Sequence, residues 1–498
     1  PRCPRKITKT IANHRQPSPT NPMEPSTKKR KLDDPTPQPL APPEAHGGRA
    51  DEAHAVNLIS EMKAKLDAAS TKREGVYPAG KQLRHLTETT LVSFFSAADM
   101  SLLEAKLVQI GELAKTLVDQ IGTDAYLFKL GLVEGALSEA QALENLVFFI
   151  GHGHLATPRS AQKISGLPGV SDSVYLSGII KTCRSLERYA VGRATMGDRT
   201  SVKVCSEFVD ALLSKLMEFD FRNGPLRRAY DGVKYARKRL IDVLYETSLC
   251  KNVTEDMVAE TTKIPVELLL PVNELEEIRL KMVAFDEKRE QVIKRCRDVQ
   301  KLSKQAIYSL HRQETDKARN QLNLAMNKAQ AISSEFEFAS DPSLRSGSFQ
   351  NAMEEWVEGR LFEAWLDSGG TTILSPPELS AELPSPLTMT SEEYLGGLVD
   401  FTGEVGRWAV LKATQRDKAA VEKALAADLT VEAAIIHLGT SVPGKMNKKA
   451  GALKNNVKKL EHVLYELSLL KGTGKSTFSS DAKPESSSSS SSGGGDSK

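Results

Sequence analysis

An all-α protein built from two copies of one helical domain is what this sequence predicts, and three observations carry the prediction. Apolar residues recur at helical spacing through most of the chain, while alternating strand patterns bounded by hairpin turns are scarce. A long stretch of the sequence returns later at a nearly constant spacing. Both ends lose this periodicity and pass into proline, serine, glycine and charge. With 498 residues, 40% hydrophobic and 26% charged, there is ample material for two cores. Lys+Arg (67) nearly cancel Asp+Glu (64), leaving +3, which excludes a histone-like polycation; nucleic-acid contact must come from local patches. No apolar run approaches the roughly 18–20 residues of a membrane span. The best, Leu146 to Ile150, is far too short.

Residues 1–50 read as a disordered tail. Within it, Lys28-Lys29-Arg30-Lys31 is a compact basic run among prolines, accessible to an import receptor, so a nuclear address beside a cytoplasmic pool is expected. Residues 1–22, ahead of Met23, read as a translated leader or a fragment end. The first helical domain is placed at 51–250, a linker carrying Pro265 and Pro271 at 251–279, and the second domain at 280–472. Leu226 to Tyr245 typifies the spacing, and prolines from Pro376 to Pro386 mark a connection between helices. Residues 473–498 form a Ser/Gly tail. Gly472-Thr-Gly-Lys-Ser-Thr477 is not a phosphate loop: Leu469 stands where the first glycine belongs, and a helical pattern precedes it. Five scattered cysteines (Cys3, Cys183, Cys205, Cys250, Cys296) form no Cys-x-x-Cys pair, so a disulfide framework is not expected and a reducing compartment fits. His152 and His154 lie two apart without an acidic or cysteine partner, and read as a solvated turn rather than a metal site.

The repeat is the most informative feature. Val243-Leu-Tyr-Glu-Thr-Ser-Leu249 returns as Val463-Leu-Tyr-Glu-Leu-Ser-Leu469, and Lys234, Lys238 and Arg239 return as Lys454, Lys458 and Lys459. Tyr175-Leu-Ser-Gly178 returns as Tyr394-Leu-Gly-Gly397, and Leu143-Glu144 pairs with Val357-Glu358. The offset stays near about 214–220 residues, which chance similarity of amphipathic helices would not maintain.

The copies differ in their acids. Glu355 and Glu358 are three apart on one helix, so both project from the same face. Asp400 and Glu404 are four apart on a later helix, among Gly396, Gly397 and Gly403, which admit a close neighbour. Two helices presenting paired carboxylates toward each other would make an oxygen-only site for Mg²⁺ or Mn²⁺. At the matching positions the first copy reads Gln141, Glu144, Lys181 and Ser185. Acids at these spacings also occur on solvated helix faces, and Glu404 can pair with Arg407. A cation held by carboxylates would polarise a phosphodiester, activate a water and neutralise transition-state charge. His311, His437 and His462 show no pattern linking them to a nucleophile.

These residues carry a family resemblance. Tyr175-Leu-Ser-Gly178, Thr195-Met-Gly-Asp198, Phe208-Val-Asp-Ala-Leu212 and Leu226-Arg-Arg-Ala-Tyr-Asp-Gly-Val-Lys-Tyr235 make the first copy resemble translin. Phe285-Asp-Glu-Lys-Arg-Glu290, Arg297 to Arg312, Glu355-Trp-Val-Glu358 and Asp400-Phe-Thr-Gly-Glu404 make the second resemble translin-associated factor X (TRAX). The resemblance implies a seven-helix-type fold that assembles into hollow octameric particles, here from four fused chains. It implies Mg²⁺-dependent endoribonuclease chemistry in the second copy, with Glu358 and Asp400 as principal ligands and Glu355 and Glu404 completing the site. Single-stranded RNA and DNA binding is implied for the first copy, and removal of passenger strands in RNA silencing for the assembly; a non-catalytic single-strand-binding particle is the alternative. The family's basic Arg-x-His-x-His cluster is replaced here by Glu134, Ala136 and Ser138. Nucleic-acid contact would then fall to Arg227, Arg228, Lys234, Arg237 and Lys238, which equally suit a solvated face.

Overall fold

The structure, a computed structural model, describes residues 51–97, 100–122, 124–157, 171–249, 263–338, 341–439, 442 and 446–469. Lys28–Lys31, both expected tails and residues 251–262 of the expected linker lie outside the described residues. Among the described residues all regular structure is helical, and no helix is long and apolar enough to cross a membrane. The first copy runs α1 (Glu52–Ala97), α2 (Met100–Ile121), short α3 (Ala125–Phe128), α4 (Gly131–His152), α5 (Asp172–Thr195), α6 (Arg199–Leu216) and α7 (Pro225–Ser248). After the turn α8 (Val266–Leu269), the second runs α9 (Val272–His311), α10 (Thr315–Glu335), short α11 (Pro342–Arg345), α12 (Ser348–Asp367), short α13 (Pro376–Ala381), α14 (Ser391–Thr414), α15 (Lys418–Leu438) and α16 (Met446–Leu469).

Local chemistry sets the ends. Asp198 caps α6 by accepting from the Ser201 N–H, and Asp417 caps α15 from the Ala420 N–H. A capping box between Thr390 and Glu393 opens α14, and Gly153, with φ of 77°, closes α4 in the left-handed conformation. In each copy two central helices pack face to face, α4 on α5 and α12 on α14. Buried tyrosines seat the later helix of each pair in the same way. The Tyr175 hydroxyl donates to the Ala156 carbonyl at 2.8 Å, and Tyr394 to the Leu374 carbonyl at 2.8 Å.

Contacts across these pairs correct the correspondence between copies. Gly178 lies against Gln141 and Gly397 against Val357: a Cβ added at either would come within 2.6 Å and 2.5 Å of those side chains. Buried Val133, Ala136, Leu137, Ala140, Leu146 and Phe149 then fall in step with buried Phe349, Ala352, Met353, Trp356, Phe362 and Trp365. The first-copy counterparts of Glu355 and Glu358 are therefore Glu139 and Ala142, two residues earlier than Gln141 and Glu144. Matching by residue type followed Leu143-Glu144; packing follows the face pressed on the partner helix.

Two cores form, and the long helices α1 and α9 pass between them. Ala55, Leu58, Ile59, Met62 and Leu66, at the start of α1, belong to the second copy's core; from Val76 onward α1 serves its own. In return Leu275 and Ile278, at the start of α9, lie in the first copy's core, and from Val292 onward α9 enters the second. Apolar burial of this size is the main stabilising contribution. The stretch 251–279, expected as a linker, thus contains the start of a packed helix from Val272.

Candidate active site

All four predicted acids line one cavity of about 870 Å³ in the second copy. Helix α12 supplies Glu355 and Glu358, α14 supplies Asp400 and Glu404, α9 supplies Lys304 and His311, and α16 supplies Lys449 and Asn456. The glycines of α14 make this convergence feasible. A Cβ at Gly397 would lie 2.7 Å from the Glu354 carbonyl oxygen, so only a bare backbone lets α12 approach this closely.

Every acid but Glu358 has a cationic partner. Lys304 Nζ lies 3.0 Å from Glu355 Oε1. Lys449 Nζ donates to Asp400 Oδ2 at 2.6 Å and to Glu354 Oε2 at 2.7 Å. Glu404 meets His311 Nε2 at 2.8 Å and pairs with the Arg407 guanidinium. Glu358, 7% exposed, sits among the others. Burial, then the charges of Glu404, Asp400 and Glu355, push its carboxyl far above the usual carboxylate range. Burial also raises Glu355 despite Lys304. Burial opposes charge on Glu404, but the His311 bond and Arg407 outweigh it and hold that carboxyl low. Glu358 is thus held against ionisation by burial and by its three acidic neighbours.

In this arrangement no group of three or more His, Cys, Asp or Glu side chains among the described residues is gathered to hold a metal ion. Glu355, Asp400 and Glu404 are turned to their lysine, arginine and histidine partners instead. His152 and His154 are exposed at the end of α4, bonded to the Phe148 and His152 carbonyls. The five basic residues of α7 do not line the cavity. Arg237 pairs with Asp210 at 2.5 Å, Arg227 lies 3.7 Å from Asp231, and Arg228, Lys234 and Lys238 are exposed. Basic residues at the cavity come instead from α16, as Lys449 and Lys459, and from α9, as Lys304. Ala136 and Ser138, at the positions of the missing basic cluster, are buried.

Sequence reasoning missed Glu354, Lys449, Asn456 and the partnership of His311. For Lys449, Asn456 and His311 the signal lies in the copy-to-copy comparison; Glu354 stands opposite polar Ser138 and gives none. Once Val233, Leu240 and Val243 are set on Leu453, Leu460 and Val463, Lys449 stands opposite Ala229 and Asn456 opposite Ala236. Likewise Val76, Leu83 and Phe94 fall on Val292, Val299 and Leu310, which puts His311 opposite Phe95. Polar for apolar at one end of the bundle is the pattern to look for.

A translin family model matches residues 82–251 and 287–471, one match in each copy. Translin of Gallus gallus is 36% identical over 75 residues, 15% of this chain and 33% of that protein; translin of Homo sapiens is 35% identical over the same length and shares. The chain thus spans about a third of the length of the curated relatives it matches. Among solved structures, the crystal structure of AfC3PO is 22% identical with a TM-score of 0.34, covering 40% of this chain and 99% of that one. A structure of AfC3PO with duplex RNA is 19% identical with a TM-score of 0.32, covering 40% and 98%.

Proposed function

We propose a function from one premise: the chain belongs to the translin family. The proposed activity is divalent-metal-dependent endonucleolytic cleavage of single-stranded or looped RNA, carried by the second copy in the manner of TRAX. One observation carries it: Glu355, Glu358, Asp400 and Glu404 from two helices line one cavity together with Lys304, Lys449, Lys459 and Arg407. Acids and bases sharing one cavity suit a cation held by the carboxylates and phosphates met by the lysines.

The donor chemistry fits Mg²⁺ or Mn²⁺, since the set is all carboxylate, and burial together with three acidic neighbours leaves Glu358 in need of a counter-charge. Glu358 and Asp400 would hold the ion with Glu355 and Glu404 beside them. The bound ion would supply Lewis-acid polarisation of the phosphodiester and a low-pKa water. Lys304, Lys449 and Lys459 would position the flanking phosphates, as lysine does for phosphate oxygens. His311 and Arg407 fix the orientation of Glu404 from two sides.

Self-association belongs to the same reading. Tyr235, Ile241, Tyr245 and Leu249 on and just after α7, and Tyr465 and Leu469 on α16, are all exposed apolar residues, with Tyr245 and Leu249 repeat-equivalent to Tyr465 and Leu469. Such faces suit contacts between chains, and four chains would supply eight copies. The first copy is proposed to bind single-stranded RNA and DNA through its α7 basic face, and Lys28–Lys31 to direct part of the population to the nucleus.

The test is cleavage of a labelled single-stranded RNA with Mg²⁺ by the native chain and by Asp400→Ala. Cleavage abolished by both EDTA and the substitution is expected. A second reading, binding without cleavage, is favoured by the cationic partner each outer acid already has; salt-dependent oligonucleotide binding unaffected by Asp400→Ala would select it.

A further inference from the structure

One wall of the acidic cavity holds a polar contact, reaching into the core, whose place in the first copy is apolar. Asn456 Nδ2, on α16, donates to the Thr402 carbonyl at 2.7 Å and to Asp428 Oδ2, on α15, at 2.6 Å. Gly406 on α14 receives the amide: a Cβ there would overlap it. Asp428 is 0% exposed, and its Oδ1 has no hydrogen-bond partner. Setting the caps Asp198 and Asp417 in register puts Asp428 opposite Val209, buried in the first core, and Asn456 stands opposite buried Ala236. The chain therefore contains the apolar solution to this packing problem and does not use it here. A buried carboxyl with an unpaired oxygen costs stability, so its retention beside the acids needs another reason.

We propose that Asp428 and Asn456 are positioning residues that hold the acid-bearing turn of α14 in register with α12. Thr402 lies midway between Asp400 and Glu404, and its carbonyl is the point the pair grips. Asp428 fixes Asn456, Asn456 fixes Thr402, and the turn bearing both acids is held opposite Glu355 and Glu358. The contact needs a hydrogen-bond acceptor at Asp428, not a charge. This inference rests on the reading of the cavity as a cation site.

The test compares the native chain with the double variant Asp428→Val/Asn456→Ala, which copies the first copy, and with Asp428→Asn, which keeps the acceptor. The double variant is expected to fold with an unchanged or raised Tm. Mn²⁺ affinity, followed by electron paramagnetic resonance, should fall about tenfold, as for other residues that orient metal ligands. Amide exchange across 402–407 should accelerate, while Asp428→Asn restores both readouts to native. Native exchange and native Mn²⁺ affinity in the double variant would overturn the proposal, as would a loss through Asp428→Asn equal to that of the double variant. If the native chain takes up no Mn²⁺, the metal reading fails by itself, and the exchange comparison still decides whether the pair holds α14.

Discussion

At the centre of each copy two helices cross on a glycine, but what stands around the crossing is opposite in kind. In the second copy the positions are Glu355, Glu358, Asp400 and Glu404, with His311, Lys449, Asp428 and Asn456 around them. In the first they are Glu139, Ala142, Lys181 and Ser185, with Phe95, Ala229, Val209 and Ala236. The survivors changed partners: Glu139 now lies 3.6 Å from Lys181 and 3.2 Å from Arg84. Arg188, opposite Arg407, lies 4.3 Å over the Phe95 ring instead of pairing with a carboxylate. One backbone arrangement thus supports an over-charged cavity in one copy and a neutralised, partly apolar interior in the other. Fold and site are separable here.

The sharpest way to break the comparison is to write the first copy's residues into the second. Asp400→Lys/Glu404→Ser should leave the helical circular dichroism intact and reduce Mn²⁺ uptake and RNA cleavage to background; cleavage retained would mean the chemistry lies elsewhere. Next come the glycines. Gly397→Ala presses on backbone and on Val357, whereas Gly178→Ala meets mainly the Gln141 side chain. Urea unfolding should therefore show a loss of about 1–3 kcal/mol for Gly397→Ala and a smaller one for Gly178→Ala. Equal losses would mean the crossings are equally tight.

Lys449→Met probes charge directly. Asp400 and Glu354 hold this ammonium in its charged form against the cost of burial, so it competes with any ion at Asp400. Its removal should tighten Mn²⁺ binding about tenfold at low salt, an effect that fades as salt rises. The smallest effect belongs to the helix caps. The Ser201 backbone N–H, Arg193 and the Ser201 hydroxyl hold the Asp198 carboxyl down at about 2. Because that value is depressed on folding, the stabilisation is present above the ordinary value near 4 and fades as pH falls toward 2. Asp198→Ala should cost about 1 kcal/mol at pH 7, with the difference from native shrinking in acid melts.

Much of this was legible in the residues. Periodicity announced the helices, the repeat announced the two copies, and acid spacing placed Glu355, Glu358, Asp400 and Glu404 on facing helices that do share a cavity. The misses share one physical origin. Matching Leu143-Glu144 to Val357-Glu358 compared letters, while the true register is set by which side chain Gly178 and Gly397 touch. Lys449 and Asn456 arrive from α16, far along the chain, and sequence spacing says nothing about which distant helix closes a site. Nor does an apolar stripe say which core it fills: Leu58 and Leu275 have the pattern of any buried helix, yet each lies in the opposite copy's interior.

That exchange makes the polypeptide a dimer that happens to be covalent. Each half lends the other a strand of core it cannot supply itself, so neither half has a complete interior alone. Carrying both halves on one chain raises the concentration of one half around the other. Cleaved between α7 and α8, the two pieces should stay together on a sizing column and melt as one, at a temperature that depends on their concentration.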